Sequence, residues 1–243
     1  MSILKVTWKL LFGGAKGSTD AERLENFYSP QADSYDRTRG LMLQRRKELV
    51  DKIEIPSGGI LVELGAGTGE NLVQLGTAKI KQLSQIHLVD LTQCMLDVAS
   101  TKVSDNEWDN VEIHHSDANQ FVPPSPADVV LCSYTLSMIP DWFATIDNAF
   151  KMLKPGGVIA VVDFYVSQAN PPEGFVKHSL LGRTLVPKLF ARNGVRPNAE
   201  LVPHLLHRFE TVDFSEHIAA VIGKSIGMPY FLFIGRKRQG DQA

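Results

Sequence analysis

The sequence has little of several features that mark particular classes of protein. It has two cysteines, Cys94 and Cys132, and no secretory pattern at its start, so we expect reduced thiols and a cytoplasmic protein. No uninterrupted apolar run reaches the length of a membrane span. The formal net charge is −2, which gives no global attraction to nucleic acid, and none is expected as a partner.

The linear pattern also lacks metal-ligand spacing. The seven histidines include the adjacent pair His114 and His115, but adjacent residues of a strand point to opposite faces. We therefore predict no metal site. Over 243 residues, 44% hydrophobic and 21% charged content is ordinary for a globular protein, and this length suits one large α/β domain.

The most informative stretch runs from Gly58 to Asn71, with the sequence GGILVELGAGTGEN. Its apolar start has the length and β-branched character of a buried parallel strand. Glycines at positions 65, 67 and 69 follow, and then a sequence that can begin a helix. Residues without a Cβ allow positive φ and close approach of a ligand, and the helix start offers unpaired N–H groups. The stretch predicts a ligand-binding turn.

The glycine spacing and one acid indicate which ligand this turn suits. A dinucleotide-binding turn has the pattern G-x-G-x-x-G, whereas this sequence has G-x-G-x-G. Glu63 also stands two residues before the first glycine. A carboxylate there does not help to bind a phosphate, but it favours a ligand that carries an ammonium and a sulfonium. A dehydrogenase is therefore disfavoured.

The sequence E-L-G-A-G-T-G resembles motif I of the class I S-adenosylmethionine-dependent methyltransferases. The resemblance extends to Asp90, which lies 25 positions after Gly65, to the turn Lys154-Pro155-Gly156-Gly157, and to two terminal strands. It implies an α/β, Rossmann-like fold with a mostly parallel seven-stranded sheet, an antiparallel last strand and helices on both faces. It also implies S-adenosyl-L-methionine as the cofactor.

The same resemblance implies cofactor contacts where the strands end. Asp90 is expected to accept the ribose hydroxyls, and Asp117 with the backbone of Ala118 to contact the adenine edge. Leu91 or Met95 would lie against the adenine, although core packing is the alternative for Met95. The predicted cofactor-binding residues are Glu63, Gly65, Ala66, Gly67, Gly69, Asp90, Leu91, Met95, Asp117, Ala118 and Ser133.

Three further stretches narrow the resemblance. They are YDRTR at 35–39, SYTLSMIPDW at 133–142, and LFARNGV with PHL within 189–205. Together they resemble the methyltransferase component of betaine-lipid synthesis, which trimethylates the amine of diacylglyceryl-homoserine. Many members are fused to an aminocarboxypropyl transferase, so a separate partner of that kind is expected. Two alternatives stay open: another lipid or quinone methyltransferase, such as one acting on phosphatidylethanolamine, or a non-catalytic S-adenosylmethionine-binding subunit.

The resemblance also suggests the organisation of the chain and an acceptor site. Residues 1–57 would form N-terminal helices and a lid over the cofactor, 58–236 the methyltransferase domain, and 237–243 a frayed tail. We hypothesise that Tyr35 and Tyr134 contact the substituted amine and that Asp36 is the weaker candidate for proton acceptor. Arg39, with Arg183 in reserve, would bind the homoserine carboxylate. A solvated, salt-bridged turn is the alternative for the cluster around Tyr35.

Two segments combine basic and apolar residues. Residues 1–17 place Leu4, Trp8 and Leu11 on one helical face, with three lysines to one side. The insertion at about 169–203 has eight large apolar residues among basic ones, and Glu173 is its only acid before Glu200. Residues 1–17 and 174–192 could contact an anionic inner membrane face transiently. The alternatives are a helix that caps the core and a helical cover over the sheet.

Overall fold

A computed structural model describes residues 17–40, 42–191, 194–222 and 226–240, and its centre is one seven-stranded sheet. The strands are β1 (Ile60–Leu64), β2 (Gln85–Asp90), β3 (Val111–His115), β4 (Ala127–Ser133), β5 (Leu153–Phe164), β6 (Glu210–Ile222) and β7 (Ile226–Arg236). The α-helices are α1 (Asp20–Tyr28), α2 (Tyr35–Arg39), α3 (Arg46–Lys52), α4 (Glu70–Leu75), α5 (Thr77–Ile80), α6 (Gln93–Asp105), α7 (Trp142–Met152), α8 (Leu180–Ala191) and α9 (Leu201–Arg208). A 3₁₀ turn, Ser29–Ser34, joins α1 to α2.

The strand order is β3-β2-β1-β4-β5-β7-β6. The strands β1 to β5 pair in parallel, and β7 runs antiparallel to both of its neighbours. The predicted fold, with an antiparallel last strand, is confirmed. The order reverses between β1 and β4, and an open parallel sheet forms its crevice at such a point, beyond the carboxyl ends of the strands.

The core consists of two apolar clusters, one on each face of the sheet. Because neighbouring residues of a strand face opposite ways, Leu61 belongs to one cluster and Val62 to the other. Helices α3 and α4 pack on the first face through Leu49 and Leu72, and α7 packs on the second through Phe150. All five residues of β1 are buried, as expected for a parallel strand covered on both sides.

One sequence-based expectation about the fold is wrong, and another falls on residues that the structure does not describe. The turn Lys154–Gly157 does not precede β5 but lies within it, because Leu153 already pairs with Ala127 of β4. The basic N-terminal segment, residues 1–17, lies outside the described residues except for Gly17. Among the described residues, no helix is long and apolar enough to cross a membrane.

Candidate cofactor and acceptor site

A cavity of about 410 Å³ lies at the carboxyl ends of β1, β2 and β4. Its floor is the glycine turn after β1, and one wall comes from α1 and α2 through Phe27, Tyr28 and Tyr35. It brings together residues that are far apart in the sequence. The predicted site residues that line it are Tyr35, Gly65, Ala66, Gly67, Asp90, Leu91, Met95, Asp117, Ala118, Ser133 and Tyr134.

The three glycines of the turn serve different purposes. All have positive φ, at +73° for Gly65, +54° for Gly67 and +69° for Gly69. A Cβ on Gly65 would overlap the side chain of Thr135, whereas a Cβ on Gly69 would meet the methyl of Ala99 in α6 at 3.4 Å. Gly67 lines the cavity. Steric contact therefore requires a glycine at position 65, the positive φ alone favours one at position 69, and Gly67 leaves room for a ligand.

Asp90 holds the turn in place from the end of β2. Its Oδ2 accepts the Gly67 N–H at 2.8 Å, and its Oδ1 accepts the N–H of Thr92 at 2.9 Å and its hydroxyl at 2.5 Å. Burial raises the pKa of the Asp90 carboxyl, and these hydrogen bonds oppose the rise. The side chain borders the cavity, so its remaining lone pairs can accept hydroxyl groups of a ligand.

The loop after β3 forms another side of the cavity. Asp117 Oδ1 accepts the N–H of Asn119 at 2.9 Å, and Asn148 donates to the Ala118 carbonyl at 2.8 Å. Asn119 in turn accepts the hydroxyl of Thr145 through its side-chain oxygen. These bonds fix the backbone of the loop. A fixed backbone is needed if the loop is to form hydrogen bonds with the edge of a planar ring. Asn119 also lines the cavity, and sequence reasoning missed it.

Glu63 does not line this cavity. It is fully buried in β1, and its Oε1 accepts a 2.6 Å hydrogen bond from Asn71 Nδ2, while Asn71 itself borders the cavity. Burial raises the pKa of Glu63 to about 7, and the Asn71 hydrogen bond opposes the rise. Its Oε2 has no hydrogen-bond partner among the described residues. Asn71 therefore lies between Glu63 and a ligand in the cavity.

Replacing Glu63 by glutamine is expected to stabilise the protein at alkaline pH relative to the wild type. The unfolded glutamate loses its proton near pH 4.5 and the folded one near 7, so folding binds a proton between these values. This contribution to stability is complete below about pH 4.5 and is lost as the pH rises through about 7. The variant cannot lose a proton, and its advantage should grow by up to ~3 kcal/mol across that interval.

The measurement is urea unfolding of both proteins at several pH values. Asp163, whose pKa burial raises to about 6, contributes in the same direction, but it is present in both proteins and drops out of the difference. Stability curves that stay parallel from about pH 5 to about pH 8 would show that Glu63 does not carry this proton.

The two tyrosines predicted to contact the acceptor, Tyr35 and Tyr134, both border the cavity. Tyr134 has a φ of 56° and donates its hydroxyl to the Gln44 carbonyl at 2.8 Å, and burial raises its pKa well above the ordinary value. Its hydroxyl is therefore committed to the protein, and its ring borders the cavity. The ring of Tyr35 packs edge-on against Tyr28, with 5.5 Å between centroids.

Arg39 is buried beneath this aromatic wall. Its guanidinium lies 5.6 Å from the Tyr35 ring centroid, and its Nη2 donates to Gln31. It borders a separate cavity of about 50 Å³, together with Phe164 and Phe190, and not the main cavity. Arg183 lies in α8 and lines neither of these cavities.

Asp36 faces away from the main cavity and fastens α2 to the domain. Its two oxygens accept hydrogen bonds from the Thr68 hydroxyl and the Lys102 ammonium, both at 2.7 Å. Lys102 also pairs with Glu70 at 2.8 Å. The carboxylate is thus occupied by the glycine turn and α6, and it is not among the residues that line the cavity.

Sequence reasoning missed two arginines of the cavity besides Arg23, which pairs with Asp20 in α1. Arg46 is 9% exposed, and its Nε has no hydrogen-bond partner among the described residues. Arg196 is exposed, and its backbone N–H donates to the Ser137 carbonyl at 2.7 Å, which fixes its position beside the end of β4. No local pattern marks either residue, because long-range packing alone brings them to the cavity.

Comparisons with known proteins agree with this geometry. Residues 62–159 match the family described as a methyltransferase domain. A demethylmenaquinone methyltransferase from Listeria monocytogenes serotype 4a (strain HCC23) is 26% identical over 160 residues, which cover 63% of this chain and 66% of that protein. The alignment therefore spans just under two thirds of the relative.

Two solved structures share the fold. A Haemonchus contortus phosphoethanolamine N-methyltransferase 2, in complex with phosphomonomethylethanolamine and S-adenosylhomocysteine, has a TM-score of 0.65 at 16% identity and covers 88% of this chain and 60% of that one. The N-methyltransferase NodS from Bradyrhizobium japonicum WM9, in complex with S-adenosyl-L-homocysteine, has a TM-score of 0.57 at 15% identity and covers 98% and 99%.

Residues 62–159 thus match a methyltransferase domain, and the cofactor expected of such a domain is S-adenosylmethionine. The cavity fits this cofactor by its own chemistry: a carboxylate at Asp90 for hydroxyls, a fixed loop at Asp117 for a planar ring, and a glycine at 67 where a side chain would fill the space. The buried guanidinium of Arg46, with an unpartnered nitrogen, suits a carboxylate.

Proposed function

We propose that the protein transfers methyl groups from S-adenosylmethionine to the amine of a lipid headgroup, namely diacylglyceryl-homoserine. The observation that carries this proposal is the route from the cavity to α8. Ala191 and Gly194 line the cavity, and α8 leads from there to leucines that are exposed at positions 180, 181 and 185. A headgroup in the cavity could keep its acyl chains at that surface.

The surface around α8 suits an anionic membrane. Leu180 and Leu181 are each 69% exposed, which is unusual for neighbouring leucines in a folded domain. Lys177 and Lys188 are exposed on the same segment, which has no acidic residue between Glu173 and Glu200. Each basic residue near such a surface contributes about 1 kcal/mol. We therefore assign the membrane contact to 174–192 and retain the inner membrane face as the proposed location.

The cavity also suits a nitrogen that becomes more methylated. The amine lone pair forms the new N–C bond while the C–S electron pair returns to sulfur, and each ammonium must release a proton to water before it reacts again. When bound, S-adenosylmethionine supplies the methyl group on a sulfonium. The rings of Tyr28, Tyr35 and Tyr134 border the cavity and can attract a cationic nitrogen by about 0.5–2 kcal/mol.

Two predicted roles change in this proposal. Asp36 positions the lid helix α2 through Thr68 and Lys102, and it does not take the proton. Arg196, which lines the cavity, replaces Arg39 and Arg183 as the group for the homoserine carboxylate. Within the predicted lid region, residues 1–57, the helices α1 and α2 would form the lid, because they line the cavity while α3 packs in the core. A separate aminocarboxypropyl transferase would supply the substrate.

The matched sequence relative favours a second candidate acceptor. Its name is demethylmenaquinone methyltransferase, and a quinol with an isoprenoid tail also combines a polar head with a long apolar chain. Such an acceptor has no carboxylate and would not need Arg196. The two acceptors therefore predict different behaviour of an Arg196 variant.

The test supplies labelled S-adenosylmethionine with separate vesicles that contain diacylglyceryl-homoserine, phosphatidylethanolamine or reduced demethylmenaquinone, and follows product mass. We expect methylated product from diacylglyceryl-homoserine. We also expect Arg196→Ala to raise its KM by about 10–100-fold, since a charge-assisted hydrogen bond contributes about 1.5–3 kcal/mol. Arg183→Ala, the matched control from α8, should leave the KM within about twofold when the acceptor is dispersed in neutral detergent.

Other outcomes would replace the proposal. Product only from the quinol vesicles would make the protein a quinone methyltransferase. Product only from phosphatidylethanolamine would mean that the enzyme does not recognise an acceptor carboxylate, and Arg196 would lose its proposed role. Binding of S-adenosylmethionine without any product would favour the non-catalytic subunit.

A further inference from the structure

A cluster of three metal-ligating side chains lies at the edge of the sheet, apart from the cavity. In the parallel pairing of β2 with β3, His87 is opposite Glu112, and Val89 is opposite His114. Because side chains two residues apart share a face, Glu112 and His114 both point to the side of His87. Their nearest ligand atoms all lie within 4.8 Å of one another.

The separations within the cluster match a metal coordination shell. His87 Nδ1 and His114 Nε2 are 2.9 Å apart, and Glu112 Oε2 lies 3.5 Å from the first and 3.6 Å from the second. Ligand atoms about 2.0–2.1 Å from a tetrahedral Zn²⁺ are separated by about 3.3 Å. A small opening of the two imidazoles would bring all three atoms to that spacing.

Neighbouring residues already orient the cluster. Gln85, two residues before His87 on the same face of β2, donates to Glu112 Oε1 at 2.7 Å, which leaves Oε2 directed at the histidines. The Phe121 ring packs 4.7 Å from the His114 ring and 5.7 Å from the His87 ring. Hydrogen bonds to the outer oxygen of a ligand and apolar packing around a site are typical of metal centres.

The charge state of the histidines is also suitable. Burial lowers the pKa of both His87 and His114, which favours the neutral imidazole that a metal ion needs. His87 is fully buried, whereas the Glu112 side chain is 53% exposed, so an ion could enter from solvent. Three protein ligands leave a fourth position for water.

We propose that His87, Glu112 and His114 bind a divalent first-row transition-metal ion such as Zn²⁺. Two imidazoles and one carboxylate are the ligand types that Zn²⁺, Co²⁺ and Cu²⁺ accept, and they do not suit Mg²⁺ or Ca²⁺. A bound ion would bridge β2 and the edge strand β3. Both strands lead into loops that line the main cavity. The proposal does not depend on which acceptor the enzyme uses.

The test titrates tag-free, metal-depleted protein with Zn²⁺ and, separately, with Co²⁺. We expect one equivalent of Zn²⁺ to bind at micromolar concentration or below, and a Co²⁺ absorption spectrum typical of a four-coordinate site with nitrogen and oxygen ligands. His114→Ala and Glu112→Gln should each weaken Zn²⁺ binding by at least about 10-fold. Glu112→Gln changes an exposed side chain, so the folded protein is retained even if His114→Ala unfolds.

His207→Ala is the matched control, because His207 is exposed on α9 and far from the cluster in sequence. It should bind Zn²⁺ as the wild type does. The proposal would be overturned by the absence of stoichiometric binding, by equal affinity of Glu112→Gln and wild type, or by a thiolate band in the Co²⁺ spectrum. That band would place the ion at a cysteine.

Discussion

Replacing Asp90 by asparagine is expected to lower the affinity for S-adenosylhomocysteine by about 100-fold, equivalent to ~2.8 kcal/mol. Asp90 accepts the backbone N–H groups of Gly67 and Thr92 on different oxygens, together with the Thr92 hydroxyl. An asparagine has one acceptor oxygen, so its NH₂ must face an N–H donor on one side. The turn would lose a charge-assisted bond, and the cavity would lose the acceptor for ligand hydroxyls.

Isothermal calorimetry on the folded variant measures this effect. Asp97→Asn is the control, because Asp97 is exposed in α6 and its carboxylate accepts a hydrogen bond from Gln93 in the same helix. We expect it to change the affinity by less than about twofold. Equal affinities for Asp90→Asn and wild type would mean that the ligand does not use the end of β2, and the cofactor site would have to be placed elsewhere.

Replacing Gly65 by alanine is expected to lower the free energy of unfolding by about 3 kcal/mol. The positive φ of 73° costs an L-residue about 1–2 kcal/mol. The new Cβ would also overlap the side chain of Thr135, and forced overpacking costs a further 1–3 kcal/mol or so. Thr135 is held by its own hydrogen bond to the Gly65 carbonyl at 3.3 Å, so it cannot move away freely.

Gly156→Ala separates these two causes. Gly156 has a φ of +82°, similar to that of Gly65, but no heavy atom lies within 4 Å of the position that a Cβ would take there. The Gly156→Ala variant should therefore lose only the backbone cost, about 1–2 kcal/mol of unfolding free energy. Urea unfolding with an unchanged m-value measures both variants. If the two lost the same stability, steric contact with Thr135 would not be what requires a glycine at position 65.

The glycine turn and the carboxyl end of β2 were predictable from the sequence, because each depends on local requirements. The glycines at 65, 67 and 69 have the positive φ that their spacing suggested, and Asp90 ends β2 at the predicted residue. Boundaries were less predictable where pairing partners decide them. The strand β5 extends back to Leu153 because β4 offers a partner there, although a Lys-Pro-Gly-Gly sequence normally signals a turn.

The acceptor side was less predictable, because its residues come from distant parts of the chain. Asp36 looked available for proton transfer, yet Thr68 and Lys102, 32 and 66 positions away, occupy its carboxylate. Arg39 is beneath the aromatic wall, while Arg46 and Arg196 border the cavity. The proposed metal cluster has the same origin, since His87 meets His114 only through the pairing of two strands.

The amino-acid sequence by itself determined the β1 strand, the glycine turn and the helix after it, because backbone conformation and hydrophobic periodicity act over a few residues. It therefore also determined the cofactor class. Only the tertiary structure decided which charged side chains reach the cavity, which carboxylates already have partners, and which histidines lie side by side. The reason is physical: a side chain's partners depend on strand register and helix packing, which are set by contacts across the whole chain.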